Sequence, residues 1–134
     1  MACGYAHTLF VDFDNIVYSC GSNKYGQLGL GDNINRNIPS KIPNLPNLPK
    51  DQSVLGRILL PPIKYVACGT HHTLFVDCDD IVYSCGSNFF GQLGLGDDND
   101  RNIPSKILNL PPIKYVSCGS YHTLFVDYEG TVYS

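Results

Sequence analysis

The sequence predicts an all-β fold assembled from repeated four-stranded antiparallel sheets, and three observations predict it. The first is that the chain copies itself. A shift of 65 places lays Cys3–Leu45 on Cys68–Leu110 with 33 of 43 positions identical, and a shift of 50 lays Cys118–Ser134 on Cys68–Ser84 with 11 of 17 identical. A fixed internal period marks an architecture of stacked units. The second is that the repeated residues are β-branched or aromatic, the types that suit a pleated, packed surface. The third is composition. With 13 Gly, 9 Pro and 9 Tyr, the chain is rich in turn formers, and no window has the Ala/Glu/Lys/Leu content of a long amphipathic helix.

Copy two gives the elements in order. "IKYVACG" (Ile63–Gly69) reads as a first strand, "HTLFVD" (His72–Asp77) as a second and "IVYSCG" (Ile81–Gly86) as a third. "NIPSKI" (Asn102–Ile107) reads as a fourth, with Pro104 weakening it or placing it at a sheet edge because proline cannot donate to a ladder. Strands two and three are joined by "FDN", "CDD" or "YEG" in the three copies, short polar joints that suit hairpins. Four meandering strands in roughly 50 residues, repeated, is the arithmetic of a β-propeller blade. The copies span about 3–45, 63–110 and 113–134 of one repeat domain covering 1–134. Between the first two lies an insertion at 46–60, which a repeat scaffold tolerates because lengthening a loop costs little entropy.

The link between strands three and four carries "GQLGLG" in both full copies. Its order, G-x-x-G-x-G, reverses the dinucleotide fingerprint, and it lacks the G-K-[S/T] ending of a P-loop. It leads into "DNINRNIPSK", which is no helix, so the helix N-terminus that would hold a phosphate is missing. Gly26, Gly29 and Gly31 are expected to supply backbone angles that a side chain would forbid.

"VACGTHHTLFVDCDDIVYSCGSNFFGQLGLGD" and its copies resemble the regulator of chromosome condensation repeat family. The cysteine-glycine pair, the His-Thr before an apolar strand, the "VYS-x-G" strand and "GQLGLG" fall in family order. The resemblance implies a seven-bladed β-propeller. It also implies either a binding scaffold or an exchange factor for the small GTPase Ran that docks on chromatin. It implies too that the repeated His is structural, bonding within its blade. Two departures stand out. The family usually carries Trp where this chain has Cys20 and Cys85, and the smaller side chain must remodel the packing. Two copies and part of a third make a partial β-propeller, two blades plus incomplete ones at the ends. Apolar faces and strand edges would then meet water unless further blades or self-association cover them. The expectation is a fragment of a longer propeller, a degenerate gene product, or a piece that needs a partner.

Other chemistry finds little support. Within a copy, the cysteines that end strands one and three are separated by strand two, about 9–10 Å in backbone spacing, beyond disulfide reach. Reduced, buried thiols are expected. The Cys-x₃-His spacing at Cys3/His7, Cys68/His72 and Cys118/His122 would need four ligands at one point to hold zinc, yet repeats spread equivalent residues over different blades. His71, found only in copy two, reads as an exposed loop residue. "DDNDRN" (Asp97–Asn102) lacks the Gly and distal Glu of a calcium loop. No nucleophile elbow or paired-carboxylate set stands out. The expectation is no enzyme and no cofactor, metal included.

Net charge is −3 with nine scattered Lys and Arg, which argues against direct nucleic-acid binding. No apolar run approaches the ~20 residues of a membrane-spanning helix, and the start has no signal-peptide pattern. An intracellular setting is expected, with cytoplasm and nucleus not distinguished. Function is placed in loops, since the ten positions that differ between copies one and two fall almost entirely there. The candidate partner-contact residues are Lys24, Tyr25, Phe89, Phe90, Asp98 and Asp100. Either an exposed Phe89 contacts a protein, or position 25/90 packs inward and position 24/89 alone meets water, a scattered surface aromatic. The expected role is a non-enzymatic scaffold for a protein partner. The alternative is part of a guanine-nucleotide exchange factor, with a small GTPase as the partner.

Overall fold

The computed structural model describes residues 1–43 and 62–134, so the insertion at 46–60 lies outside the described residues. The described chain is all-β. Sheet one is the antiparallel meander β1 (Ala2–Cys3), β2 (His7–Val11), β3 (Val17–Gly21) and β4 (Arg36–Lys41). Sheet two repeats it as β5 (Ile63–Cys68), β6 (His72–Asp77), β7 (Val82–Gly86) and β8 (Arg101–Lys106). Sheet three holds β9 (Ile113–Cys118), β10 (Thr123–Asp127) and β11 (Val132–Tyr133), with β10 in the middle. The shortened first strand of copy one still pairs, Ala2 with Leu9 and Cys3 with Thr8. Pro104 lies on the edge strand β8, where the register shifts between Ser84 and Gly86, so its missing N–H interrupts a ladder that is already broken there.

Each hairpin is built by the aspartate that closes its second strand. Asp12 Oδ1 accepts the N–H groups of Asp14 and Ile16, both at 2.9 Å, and Asp77 does the same for Asp79 and Ile81. Asp127 repeats the turn on Glu129 and Thr131 at 2.9 and 2.8 Å. The side chain thereby holds the backbone in a turn. The left-handed position falls on Asn15, Asp80 and Gly130, residue types that tolerate it.

The sheets stack face to face, and each strand's two faces meet different neighbours. Leu9, Val17 and Ile42 of sheet one pack on Ile63, Val66, Phe75, Tyr83 and Cys85 of sheet two. Leu74, Val76, Val82 and Ile107 on the opposite face of sheet two pack on Ile113 and Phe125 of sheet three. The motif "HTLFV" therefore shows three burial patterns from one sequence. In β6, between two sheets, every residue is buried, while β2 and β10 alternate because one face of each is covered.

A polar relay ties each sheet to the next. His7 Nε2 of sheet one lies 3.0 Å from Thr73 Oγ1 of sheet two, and Thr73 Oγ1 donates to the Gln27 carbonyl back in sheet one's long loop at 2.8 Å. His72, Thr123 and Gln92 repeat it between sheets two and three at 3.1 and 2.8 Å. The threonine proton goes to the carbonyl, so the histidine must donate from Nε2 and keep Nδ1 unprotonated. The expectation of a bond within the blade is thus corrected: the histidine reaches the neighbouring blade. Its ring lies against the preceding Gly4 or Gly69, where any Cβ would collide with it, which accounts for the glycine of "CG-x-x-HT". Burial, with smaller contributions from neighbouring histidines, pushes His7 and His72 down to about 4.

Candidate functional site

The loops between β1 and β2 and between β3 and β4 leave each sheet at the same end, so they share one face of the stack. The long β3–β4 loop is pinned by side chains. Asn23 Nδ2 donates to the Asp32 carbonyl at 2.8 Å, its Oδ1 accepts the Leu28 N–H at 2.9 Å, and Ser19 Oγ donates to the Leu28 carbonyl at 2.9 Å. Asn88, Asp97, Leu93 and Ser84 repeat these bonds in sheet two. Gly26, Gly29 and Gly31 take φ values of 80°, 69° and 83°, left-handed angles without a helix or anion cradle. The loop also reaches across: Gly26 sits against the Asn102 backbone, and the Gly31 N–H donates to the Asn102 carbonyl at 2.8 Å. The glycine run is a clamp between neighbouring sheets.

On this clamped face an aromatic cleft of about 580 Å³ opens, lined by Tyr25, His71, Phe89, Phe90, Asp98, Asp100 and Tyr121 among others. Five of the six candidate residues from the sequence meet there, and Lys24 stands beside them with its Nζ 5.5 Å from the Tyr25 ring centroid. Phe89 and Phe90 pack edge to face at 4.9 Å, and Phe90 packs on Tyr121 of sheet three at 5.3 Å. Both phenylalanines face water, at 76% and 64% exposure, so the reading in which position 90 turns inward fails. Tyr25 comes closer to that reading, half-buried 5.0 Å from His71. His71 is itself half-buried, between Tyr5 and Tyr25, rather than a free loop residue. Sequence comparison missed His71 and Tyr121 as cleft residues. They are equivalent positions, each two strands further along the chain than the aromatic it touches, and a repeat alignment does not tell which residues meet across blades.

The acids divide by role. Asp97 is paired with Arg101 at 2.6 Å, and that hydrogen bond holds its carboxyl below the usual range. Asp100 Oδ1 accepts the Asn88 N–H at 2.7 Å, the bond that Asn35 makes to Asn23 at 2.8 Å in copy one. Asp98 is exposed at the cleft wall. A second cleft of about 400 Å³ adjoins across Tyr25, lined by Asn33, Arg101 and Asn102. Among the described residues no three His, Cys, Asp or Glu side chains are grouped to hold a metal ion. The six cysteines are free. Burial pushes Cys68 and Cys118 up to about 12, so both are protonated thiols. Cys78 is exposed, and so is Cys3, which ends a first strand, against the expectation of a buried thiol there.

The profile of the Regulator of chromosome condensation (RCC1) repeat matches residues 14–76 and 79–126, and a second RCC1 repeat profile matches 63–92. The chain is 38% identical over 110 residues to the human Probable E3 ubiquitin-protein ligase HERC4, a match covering 82% of this chain and 9% of that protein. It is 40% identical over 102 residues to the mouse X-linked retinitis pigmentosa GTPase regulator, covering 76% of this chain and 9% of that protein. The solved structure of Prp20p from Saccharomyces cerevisiae, described with its binding properties to Gsp1p and histones, superposes with a TM-score of 0.78. Identity there is 26%, over 98% of this chain and 31% of that one. The chain therefore spans about a tenth of the length of these curated relatives and under a third of the solved one.

Proposed function

The chain belongs to the regulator of chromosome condensation (RCC1) repeat family, and from that premise we propose that it is a non-enzymatic scaffold whose loop face binds a protein partner. One observation carries the reading: Phe89, Phe90 and Tyr121 cluster, exposed, on loops locked to stacked sheets. Aromatic groups held rigidly at a surface make efficient contact anchors, because little side-chain freedom is lost on binding. The repeated histidines support the absence of catalysis, since His7 and His72 are committed to bonds between sheets. A photo-crosslinking side chain at position 89, compared with one at Tyr128 in the opposite loops, tests the reading. Cross-linking to a discrete protein from position 89 and not from 128, lost in Phe90→Asp, is the expected outcome. Equal labelling from both faces would end it.

A second reading, part of a guanine-nucleotide exchange factor, draws support from the mouse relative named a GTPase regulator and from the solved yeast protein's described binding to Gsp1p. Release of labelled GDP from a Ran-like GTPase decides between the two, with acceleration required for the second and none for the first. The free thiols of Cys68 and Cys118 support an intracellular setting, which fractionation of cells expressing the tagged chain would check.

A further inference from the structure

Comparing the two pinned loops isolates what the scaffold does not require. Lys24, Asn33 and Asn35 of copy one stand where copy two has Phe89, Asp98 and Asp100. The structural task at the last position is the same in both, a side-chain oxygen accepting a backbone N–H at 2.8 or 2.7 Å, and the neutral Asn35 performs it as well as Asp100. The negative charge on Asp100 is therefore not needed to form the loop. Each of the three differences removes a positive charge or adds a negative one, and the first also adds an aromatic face. All three fall on one cleft, where Phe89 and Phe90 stand with Tyr25, Asp98 and Asp100.

We infer that this cleft receives an arginine side chain from a basic segment of the protein partner. The inference rests on the interaction-scaffold reading and names the chemistry of its site. A guanidinium is planar and stacks on aromatic faces, while its fork of N–H donors matches a carboxylate. Phe89, Phe90 and Tyr25 supply the faces, and Asp98 and Asp100 supply the carboxylates beside them. Asp97 is already held by Arg101 and adds little new attraction. A lysine would gain the charge attraction without the stacking or the fork, and an acidic segment would be repelled.

The full chain is titrated with fluorescent Gly/Ser peptides that carry arginine, lysine, citrulline or glutamate at the same positions. Binding in the order arginine, lysine, citrulline, with none for glutamate, is expected. The double variant D98N/D100N restores the residues of copy one and keeps the loop's hydrogen bond. It should weaken arginine-peptide binding by about tenfold or more and flatten its salt dependence, with the thermal midpoint unchanged. F89K should weaken it similarly, and E129Q on the opposite loops should not. Citrulline binding as well as arginine, or D98N/D100N binding as well as wild type, overturns the inference. Specific cross-linking from position 89 without any arginine preference removes the arginine assignment and leaves the scaffold reading standing. Loss of both removes both.

Discussion

Thr73 shows how much one hydroxyl organises. It accepts from His7 and donates to the Gln27 carbonyl, so Thr73→Val leaves the buried His7 Nε2–H without its acceptor and the Gln27 carbonyl with only the Cys85 thiol at 3.6 Å. Stability should fall by about 1–3 kcal/mol. The equivalent Thr8 is half-exposed and touches Cys3 Sγ at 3.8 Å, so Thr8→Val should change little; urea denaturation of both variants checks the contrast. The same relay makes stability depend on pH. His7 and His72 titrate near 6.5 when unfolded and about 4 when folded, because burial disfavours the charged ring and neighbouring histidines add to the penalty. Above 6.5 both states are neutral and stability is full. As pH falls from 6.5 towards 4, the unfolded chain takes up protons that the folded chain refuses, and each histidine withdraws up to about 3 kcal/mol. Urea midpoints measured downward from pH 7.5 should decline through that window, and His72→Gln should shrink the decline.

At the scale of the element, identical strands are made unequal by their neighbours. Leu74 in β6 is 0% exposed against sheet three, and Leu124 at the same place in β10 is 39% exposed. Leu74→Ala should cost about 2–5 kcal/mol by leaving a cavity, while Leu124→Ala should cost well under about 1 kcal/mol; thermal melts of the two variants read the difference. The strands were legible because period-marked apolar runs and turn residues are local signals. β5, β6, β7 and β8 start and end within one residue of the runs read from "IKYVACG", "HTLFVD", "IVYSCG" and "NIPSKI". The clustering of Phe89, Phe90, Asp98 and Asp100 followed from their shared loop. What was not legible was reach between copies. Self-comparison shows that His7 and His72 are equivalent, but not that each bonds to the next threonine, or that Tyr25 and Phe90 lie against His71 and Tyr121. Those contacts depend on how sheets stack, which no single repeat encodes.

For the molecule as a whole, the stack has two unlike ends. Tyr115, Leu124 and Val132 of sheet three are exposed on the face whose counterparts Tyr65, Leu74 and Val82 in sheet two are covered. Further repeats or a second copy would cover it. The chain by itself should therefore sediment with a concentration-dependent mass, and Leu124→Glu should shift it towards the monomer. The geometry of that association is constrained by the relay described above, which runs from the histidine of one sheet to the threonine of the next and never the reverse. A two-fold axis would set like against like and leave out the threonine that each histidine meets inside the stack. Contact between copies that continues the relay is therefore heterologous, each subunit offering its front to another's back. Such a joint has two fates, a closed circle if the rotation per step divides a full turn and an open filament if it does not.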